Sequence, residues 1–246
     1  MKKETVTAVE AILRDCVNNT IKRLKTDRTF RPFHEALLSK ELVIASAFER
    51  SFSTSFGQKA VEEISQKISI STGAICERQK ETQVNIYKGA IDEITRIMSN
   101  LREGRATPDW GKEVKRICAY TKGDTVVQRI ISDLWIKKDN KESFISIKTV
   151  KPNLDQTEIA KRDLLLLKAD VPNRNVFFGL FYNPGGELRS DYNWTMPSKI
   201  FNMLDDECVL IGQEYWDYIG GRSTYSELLE IFARVGADTR NKLSTI

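Results

Sequence analysis

Residues 144–153 read FISIKTVKPN, and the interpretation of the whole chain begins with them. The first half alternates apolar and polar residues, as a strand with one buried face does, which puts Ser146 and Lys148 on the same face. Pro152 cannot donate a hydrogen bond to a neighbouring strand, so the strand is expected to end before it. The strand therefore gives two positions on one face to polar side chains, which packing alone does not explain.

The segments on either side of this strand predict an α/β fold. Residues 125–136 and 143–150 are rich in β-branched and aromatic side chains, and the turn-forming KKDNKE between them predicts a hairpin. Residues 154–169 predict a helix with Asn153 or Asp155 as its N-cap. The apolar run at 176–182 is typical of a buried parallel strand. A short strand at 208–211 and helices at 215–219 and 225–235 are expected to follow.

The first hundred residues have the apolar spacing of helices. Helices are expected at residues 35–48 and 87–101. Another is expected to begin after the SFSTSFGQ of residues 51–58, whose Ser and Thr could act as caps. No repeat, low-complexity tract or long Gly/Pro linker divides the chain. The prediction is one domain over residues 1–246, mainly helical over 1–110, with an α/β core over 111–246 built on a mixed sheet flanked by helices.

Composition restricts the classes of function. The 246 residues are 41% hydrophobic and 29% charged, as in ordinary globular proteins, and the net charge of +4 permits a polyanionic partner without requiring one. The four cysteines are too far apart to indicate a zinc site or a disulfide framework, and a single histidine disfavours Ser-His or Cys-His catalysis. No signal-peptide core or apolar run of about 20 residues is present, so we expect a cytoplasmic protein without a membrane partner.

An acid and a lysine on the two strands of the predicted hairpin form a candidate catalytic site. Asp133 lies on the first strand and Lys148 on the second, and a suitable register would bring them within a few ångströms. Such a carboxylate can bind Mg²⁺, which polarises a phosphodiester and activates water, while the lysine neutralises charge that develops on the phosphate. The alternative is a solvated hairpin face with an ordinary Asp and Lys.

Asp133 followed by the SIK of residues 146–148 resembles the PD-(D/E)xK nuclease signature, in which an Asp precedes an acid-x-Lys on the neighbouring strand. Three longer stretches resemble the type II restriction endonucleases of the TdeIII/MjaII group, and they occur in the same order: SFSTSFGQKAVEEI (51–64), SIKTVKPNLDQTEIAKRDLLLLKA (146–169) and VLIGQEYWDYIGGRSTYSELLEIFARVG (209–236). The resemblance implies a PD-(D/E)xK restriction-endonuclease-like core. It also implies Mg²⁺-dependent cleavage of both strands of duplex DNA at a short palindromic site, with GGNCC as the implied type.

The same resemblance implies the partners and the setting of the protein. Restriction endonucleases of this group are expected to act on double-stranded DNA as homodimers, within a restriction–modification system of a prokaryotic cell. A cognate DNA methyltransferase would then modify the same DNA sequence without having to bind this chain.

The chain departs from the signature at Ser146, where the family has Asp or Glu. Either the site is degenerate, or the missing carboxylate comes from the helix that follows the strand. Successive residues of a helix turn by about 100°, which places Asp163 near the edge of the buried stripe of that helix. Asp163 is therefore predicted as the replacement acid and as a metal ligand beside Asp133.

A further acid is expected from the N-terminal part. Related nucleases often bring a helix glutamate toward the metal, and Glu62 fits the resembled spacing after Gly57. Glu63 is equally far from the apolar stripe of its helix, so periodicity does not choose between the two. Both could also be ordinary solvated side chains.

Three further residues are candidates for phosphate or base contacts. Gln156 lies just after the strand and could hold a phosphate or a metal-bound water, or it could form a hydrogen bond at the start of the helix. Arg189 and Arg222 are candidate DNA-binding residues, because arginine reads guanine with two hydrogen bonds in the major groove. An ordinary surface loop is the alternative for the segment that carries Arg189.

The sequence thus predicts a type II site-specific deoxyribonuclease, a hydrolase of phosphodiester bonds. Its predicted catalytic residues are Asp133, Lys148, Asp163 and Glu62. Two alternatives stay open at this point: a repair or junction nuclease on the same fold, and a DNA-binding protein whose site is catalytically degenerate at Ser146.

Overall fold

The computed structural model describes residues 1–27 and 29–243 of the chain. A five-stranded sheet has its strands side by side in chain order: β1 (Ile75–Tyr87), β2 (Thr125–Lys138), β3 (Lys141–Lys148), β4 (Asn175–Leu180) and β5 (Val209–Ile211). The β1–β2 and β2–β3 pairs are antiparallel, and the β3–β4 and β4–β5 pairs are parallel. The predicted α/β class with a mixed sheet is confirmed.

Helices cover both faces of this sheet. Over the described ranges they are α1 (Lys3–Thr26), α2 (Pro32–Leu37), α3 (Lys40–Ser55), α4 (Val61–Ser71), α5 (Lys88–Arg102), α6 (Trp110–Ile117), α7 (Leu154–Asp170), α8 (Thr195–Ser198), α9 (Gln213–Gly220) and α10 (Thr224–Leu243). A π-helical turn, Phe56–Ala60, joins α3 to α4. None of the helices in the described part of the chain is long and apolar enough to cross a membrane.

Two hydrophobic cores lie on opposite faces of the sheet. Phe144 belongs to the first, which we call the α7 core, and Ile145 to the second, which we call the α4 core. Adjacent residues of a strand point to opposite faces of the sheet. The α7 core packs the sheet against α5, α6 and α7. The α4 core packs it against α1, α4, α9 and α10. Asp133 lies inside β2 and Lys148 at the end of β3, where β3 separates from β2.

The predicted hairpin and the helix after it are both present. The two-residue turn of the β2–β3 hairpin is formed by Asp139 and Asn140, whose φ angles of 48° and 60° match a type I′ turn. Asn153 caps α7, as predicted: its side chain accepts a hydrogen bond from the backbone of Gln156. The turn fixes the hairpin register, and the cap fixes where the chain leaves β3.

The helix start predicted after SFSTSFGQ is wrong. Helix α3 continues through this segment to Ser55, and the π-helical turn leads into α4 without a break. Thr54 and Ser55 donate hydrogen bonds to the carbonyls of Arg50 and Ser51, at 2.8 and 2.9 Å. Because these hydroxyls bond to the preceding helical turn, they do not act as N-caps. The helix expected at 35–48 is instead divided between α2 and α3, with Ser39 as the cap of α3.

Strand β1 was not predicted and lies within the part expected to be mainly helical. Its sequence, ICERQKETQVNIY, carries four charged residues and few apolar ones. It is the edge strand of the sheet, and its middle is largely solvent-accessible, so the period-2 apolar pattern is weak. The sheet therefore begins before residue 110, ahead of the predicted start of the α/β core.

Candidate active site

The candidate site opens where β2 and β3 separate. Counted from the hairpin turn, the last regular pair is Leu134 with Ile145, and Asp133 is the next residue of β2 beyond it. The Oδ2 atom of Asp133 accepts a hydrogen bond of 2.7 Å from the backbone N–H of Ile147, and this bond takes the place of the next step of the ladder. The hydroxyl of Ser146 donates more weakly to the same oxygen, at 3.4 Å. The carboxylate of Asp133 is therefore held by the backbone of the neighbouring strand.

Lys148 completes this arrangement. Its Nζ atom donates to Asp133 Oδ2 at 2.9 Å and to the carbonyl of Ile147 at 3.1 Å. The side chains of Lys148 and Asp133 are 21% and 20% exposed, so the pair is fixed in place but open to solvent. The structure thus brings together the acid and the lysine that the sequence pointed to. Three donors occupy Oδ2, which leaves Oδ1 as the less engaged oxygen.

Glu62 reaches this group through a glutamine that the sequence analysis missed. The Nε2 atom of Gln79 donates to both carboxylate oxygens of Glu62, at 3.0 and 3.1 Å, and lies 3.4 Å from Asp133 Oδ1. Glu63 is turned away and pairs with Arg78 at 3.2 Å. The structure therefore distinguishes two glutamates that helical periodicity could not separate.

Glu62 follows the π-helical turn at the start of α4. Such turns add a residue to the helical repeat, change the direction of the side chains that follow, and are frequent at functional sites. Burial raises the pKa of the Glu62 carboxyl, and the nearby Asp133 carboxylate raises it further, while the hydrogen bond from Gln79 opposes the shift. A carboxyl with a raised pKa beside a second carboxylate is an environment that a cation would relieve.

Asp163 lies on α7 with its carboxylate bonded to the neighbouring Arg162, 3.2 Å from Nη2 and 3.3 Å from Nε. Burial raises its pKa, and the charges of Lys148 and Asp133 are near enough to act on it. Within residues 1–27 and 29–243, no group of three or more His, Cys, Asp or Glu side chains is arranged to hold a metal ion. The role of Asp163 as a metal ligand therefore stays a prediction.

Comparison with known proteins identifies the family. The model of the type II restriction endonuclease family HinfI matches residues 1–236. The chain belongs to the HinfI family of type II restriction endonucleases. The endonuclease is accordingly a site-specific deoxyribonuclease, as the sequence predicted.

Individual relatives agree with this membership. Over 236 residues the endonuclease is 27% identical to the type II restriction enzyme HgiCII of Herpetosiphon aurantiacus, an alignment that covers 93% of this chain and 85% of the relative. HgiEI of the same organism is 31% identical over 229 residues, with 89% and 82% covered. MjaII of Methanocaldococcus jannaschii is 25% identical over 230 residues, with 81% and 61% covered. The resemblance to MjaII is confirmed, and these relatives favour a restriction enzyme over a repair or junction nuclease.

The structure assigns Gln156 a structural role in the endonuclease. Its backbone N–H donates to Asn153 Oδ1 at 2.8 Å, and its own Oε1 accepts from the Asn153 N–H at 3.4 Å. These two bonds form a capping box at the start of α7. The hydrogen bond at the helix start is therefore present, and contact of Gln156 with a phosphate or a metal-bound water stays a prediction.

The donors of Arg189 are engaged within the protein. Its guanidinium bonds to the Glu214 carboxylate, with Nη2 at 2.7 Å, and donates to the carbonyls of Leu204, Asp206 and Val209. Its donors are used to fix the loop before β5, so no fork remains to read a base. Arg222 is exposed in the turn between α9 and α10, and its contact with DNA stays a prediction.

Proposed function

We propose that the endonuclease hydrolyses both strands of duplex DNA with Mg²⁺ at the site of Asp133 and Lys148. The target we propose is a short palindrome of the GGNCC type, as the resemblance implies. The observation that carries the proposal is the Lys148–Asp133 pair, held by the backbone of β3 at the point where β2 and β3 separate and still open to solvent. That combination suits a group that must meet a phosphate from outside the protein.

The oxygen donors at this site fit Mg²⁺. Mg²⁺ is usually bound through one or two carboxylates, with water and phosphate oxygens in its other positions. Asp133 presents Oδ1, and Glu62 is joined to it through Gln79. Asp163, close by on α7, is the acid that we propose in place of the one absent at Ser146. When bound, the ion would polarise the phosphodiester and make a bound water more acidic.

The chain's own groups position and stabilise the reacting phosphate. The ammonium of Lys148 would neutralise charge that develops on the phosphate in the transition state, or orient the attacking water. Asp133 Oδ2 and the carbonyl of Ile147 fix this ammonium from two directions, so it needs little reorganisation during the reaction. Ser146 adds a weak hydrogen bond to Asp133 and supplies no charge.

Cleavage of both strands of a palindrome requires two sites related by a two-fold axis. Each copy of the chain supplies its own Asp133–Lys148 pair, so we propose a homodimer in which each copy cuts one strand. A methyltransferase of the same restriction–modification system would protect that sequence in the cytoplasm of a prokaryotic cell. It need not bind the endonuclease.

Digestion of a plasmid of known sequence, with Mg²⁺ and a size measurement of the protein–DNA complex, tests this function. We expect discrete double-strand fragments whose sequenced ends share one short palindrome, two protein copies per DNA site, and no cutting by Asp133→Asn. Asp133→Asn keeps the shape of the side chain and removes its charge. Nicks alone, loss from DNA ends, or the same fragments from Asp133→Asn would contradict the proposal.

A further inference from the structure

We propose that Gln79 is a positioning residue of the cleavage site, whose carboxamide holds Glu62 and Asp133 together as one cation-binding pair. The inference rests on the proposed function, since it concerns the same Asp133. It adds a residue from β1, which contributes nothing to the nuclease signature.

The contacts of Gln79 support this role directly. The Nε2 atom is within 3.1 Å of both oxygens of Glu62 and 3.4 Å from Asp133 Oδ1. A carboxamide nitrogen carries two N–H donors and no acceptor, so it suits a position between two carboxylates. The oxygens that it binds are the same ones that a divalent cation would need. The carboxamide oxygen of Gln79 would also be available to a bound ion, since it is a ligand type that Mg²⁺ accepts.

The backbone of Gln79 is held in an unfavourable conformation. Its φ of 52° lies in the left-handed region, which is uncommon for a residue with a long side chain. In the described part of the chain, the other non-glycine residues with positive φ are Asp139, Asn140 and Ser223, and these lie in turns between elements. Gln79 lies inside a strand. Residues held in this way are concentrated at functional sites, where the surrounding structure maintains them.

The pairing of β1 with β2 shows what this conformation does. The register continues on both sides of Gln79 but omits the step between it and the opposite residue, Asp133. The even-numbered residues of the two strands also change cores across this point. On the side of the β2–β3 turn they belong to the α4 core: Cys76, Leu134 and Ile136. On the other side they belong to the α7 core: Val84, Ile86 and Ile130. The ribbon turns over at Gln79, which directs its side chain toward Glu62.

The uncharged amide suits this position better than a cation would. Gln79 joins the two carboxylates by hydrogen bonds without adding a charge of its own. A lysine would satisfy both carboxylates but would compete with Mg²⁺ through its own charge. The neutral amide keeps the two carboxylates together, and Mg²⁺ would displace it at a lower cost in free energy than it would displace a lysine.

Gln79→Gly tests the proposal, with Asn140→Gly as a matched control. Both changes remove a side chain at a left-handed position and relieve the backbone, so we expect the melting temperature of each variant to equal or exceed that of the wild type. Mn²⁺ binding to the DNA-free protein, followed by electron paramagnetic resonance, should weaken about tenfold in Gln79→Gly. The Mg²⁺ concentration for half-maximal cutting should rise by a similar factor. Asn140→Gly should change neither quantity.

A merely structural glutamine would give a different result. Wild-type Mn²⁺ affinity and Mg²⁺ dependence in a folded Gln79→Gly protein would overturn the proposal. If Gln79→Gly fails to fold, Gln79→Asn replaces it, because asparagine tolerates positive φ but its amide is one methylene shorter. Weaker Mn²⁺ binding at an unchanged melting temperature then supports the proposal, and unchanged binding overturns it.

Asp133→Asn separates this inference from the function on which it rests. If Asp133→Asn abolishes both cutting and Mn²⁺ binding while Gln79→Gly alters neither, the site stands and the role of Gln79 fails. If Asp133→Asn still cuts, the proposed function itself fails.

Discussion

Two lysines of the endonuclease make similar ion pairs in different surroundings. Lys148 lies 2.9 Å from Asp133 at the end of β3, and Lys161 lies 2.6 Å from Glu113 between α7 and α6. The side chains of the first pair are about one-fifth exposed. Lys161 is completely buried, and Glu113 is 5% exposed. The distances alone do not tell the two pairs apart.

Their remaining partners show what each pair does. Lys161 also donates to the carbonyl of Ile200 at 2.6 Å and lies over the ring of Phe201, so it connects two helices to the segment before β5. No substrate can reach it. Among the described residues, the partners of Lys148 are Asp133 and a carbonyl of its own strand, and one side of it is open to solvent. Access, rather than the strength of the pairing, separates a catalytic candidate from a structural one.

Removal of Lys161 should have the largest effect on stability. Lys161→Met keeps much of the side-chain volume but leaves the Glu113 carboxylate buried without its cation. Loss of one partner of a buried pair costs about 3–5 kcal/mol, so we expect the free energy of unfolding to fall by that amount in urea titrations. The cutting rate per folded molecule should stay at the wild-type value.

A second substitution sharpens this result. Lys161→Met combined with Glu113→Leu removes both charges, and most of the lost stability should return. A double variant as unstable as the single one would show that packing of the lysine stem, rather than an unpaired charge, accounts for the loss.

Asp163 provides an intermediate test, because its side chain is 25% exposed, between the buried Lys161 pair and a fully solvated carboxylate. Burial raises its pKa, so folding favours the protonated carboxyl, and its contribution to stability is lost as the pH rises through the folded-state pKa. Asp163→Asn is neutral at every pH. We expect this variant to be more stable than the wild type at pH 7, with the difference vanishing in acid, as measured by urea unfolding across pH.

The same variant tests the proposed metal ligand. If Asp163 supplies the missing acid, Asp163→Asn should cut about tenfold more slowly or worse, despite its greater stability. Normal cutting by Asp163→Asn together with slow cutting by Glu62→Gln would assign the second carboxylate to Glu62 alone.

Gln156 should give the smallest effect. Gln156→Ala removes one half of the capping box of α7, which is expected to cost up to about 1 kcal/mol in free energy of unfolding. Cutting rates at saturating Mg²⁺ should be unchanged. A loss of activity larger than the loss of folded protein would instead support the phosphate-binding interpretation of this residue.

The elements that were predictable from sequence are those specified by local patterns. The alternation of residues 143–150, the turn at Asp139–Asn140 and the cap at Asn153 all depend on neighbours in the chain, and together they located Asp133 and Lys148 on paired strands. The contacts that were missed depend on distant segments. Gln79 is recognisable only once β1 crosses Asp133 and α4 brings Glu62 to it. Arg189 looked available because Glu214, 25 residues away, is invisible to local patterns.

The single-turnover cutting rate of Lys148→Ala tests the central claim most directly. We predict a fall of about 10²–10³-fold at saturating Mg²⁺, with DNA affinity in Ca²⁺ and the free energy of unfolding close to wild type. Lys161→Met, measured beside it, should show the opposite combination. A Lys148→Ala enzyme that cuts at the wild-type rate would contradict the assignment of the active site to the point where β2 and β3 separate.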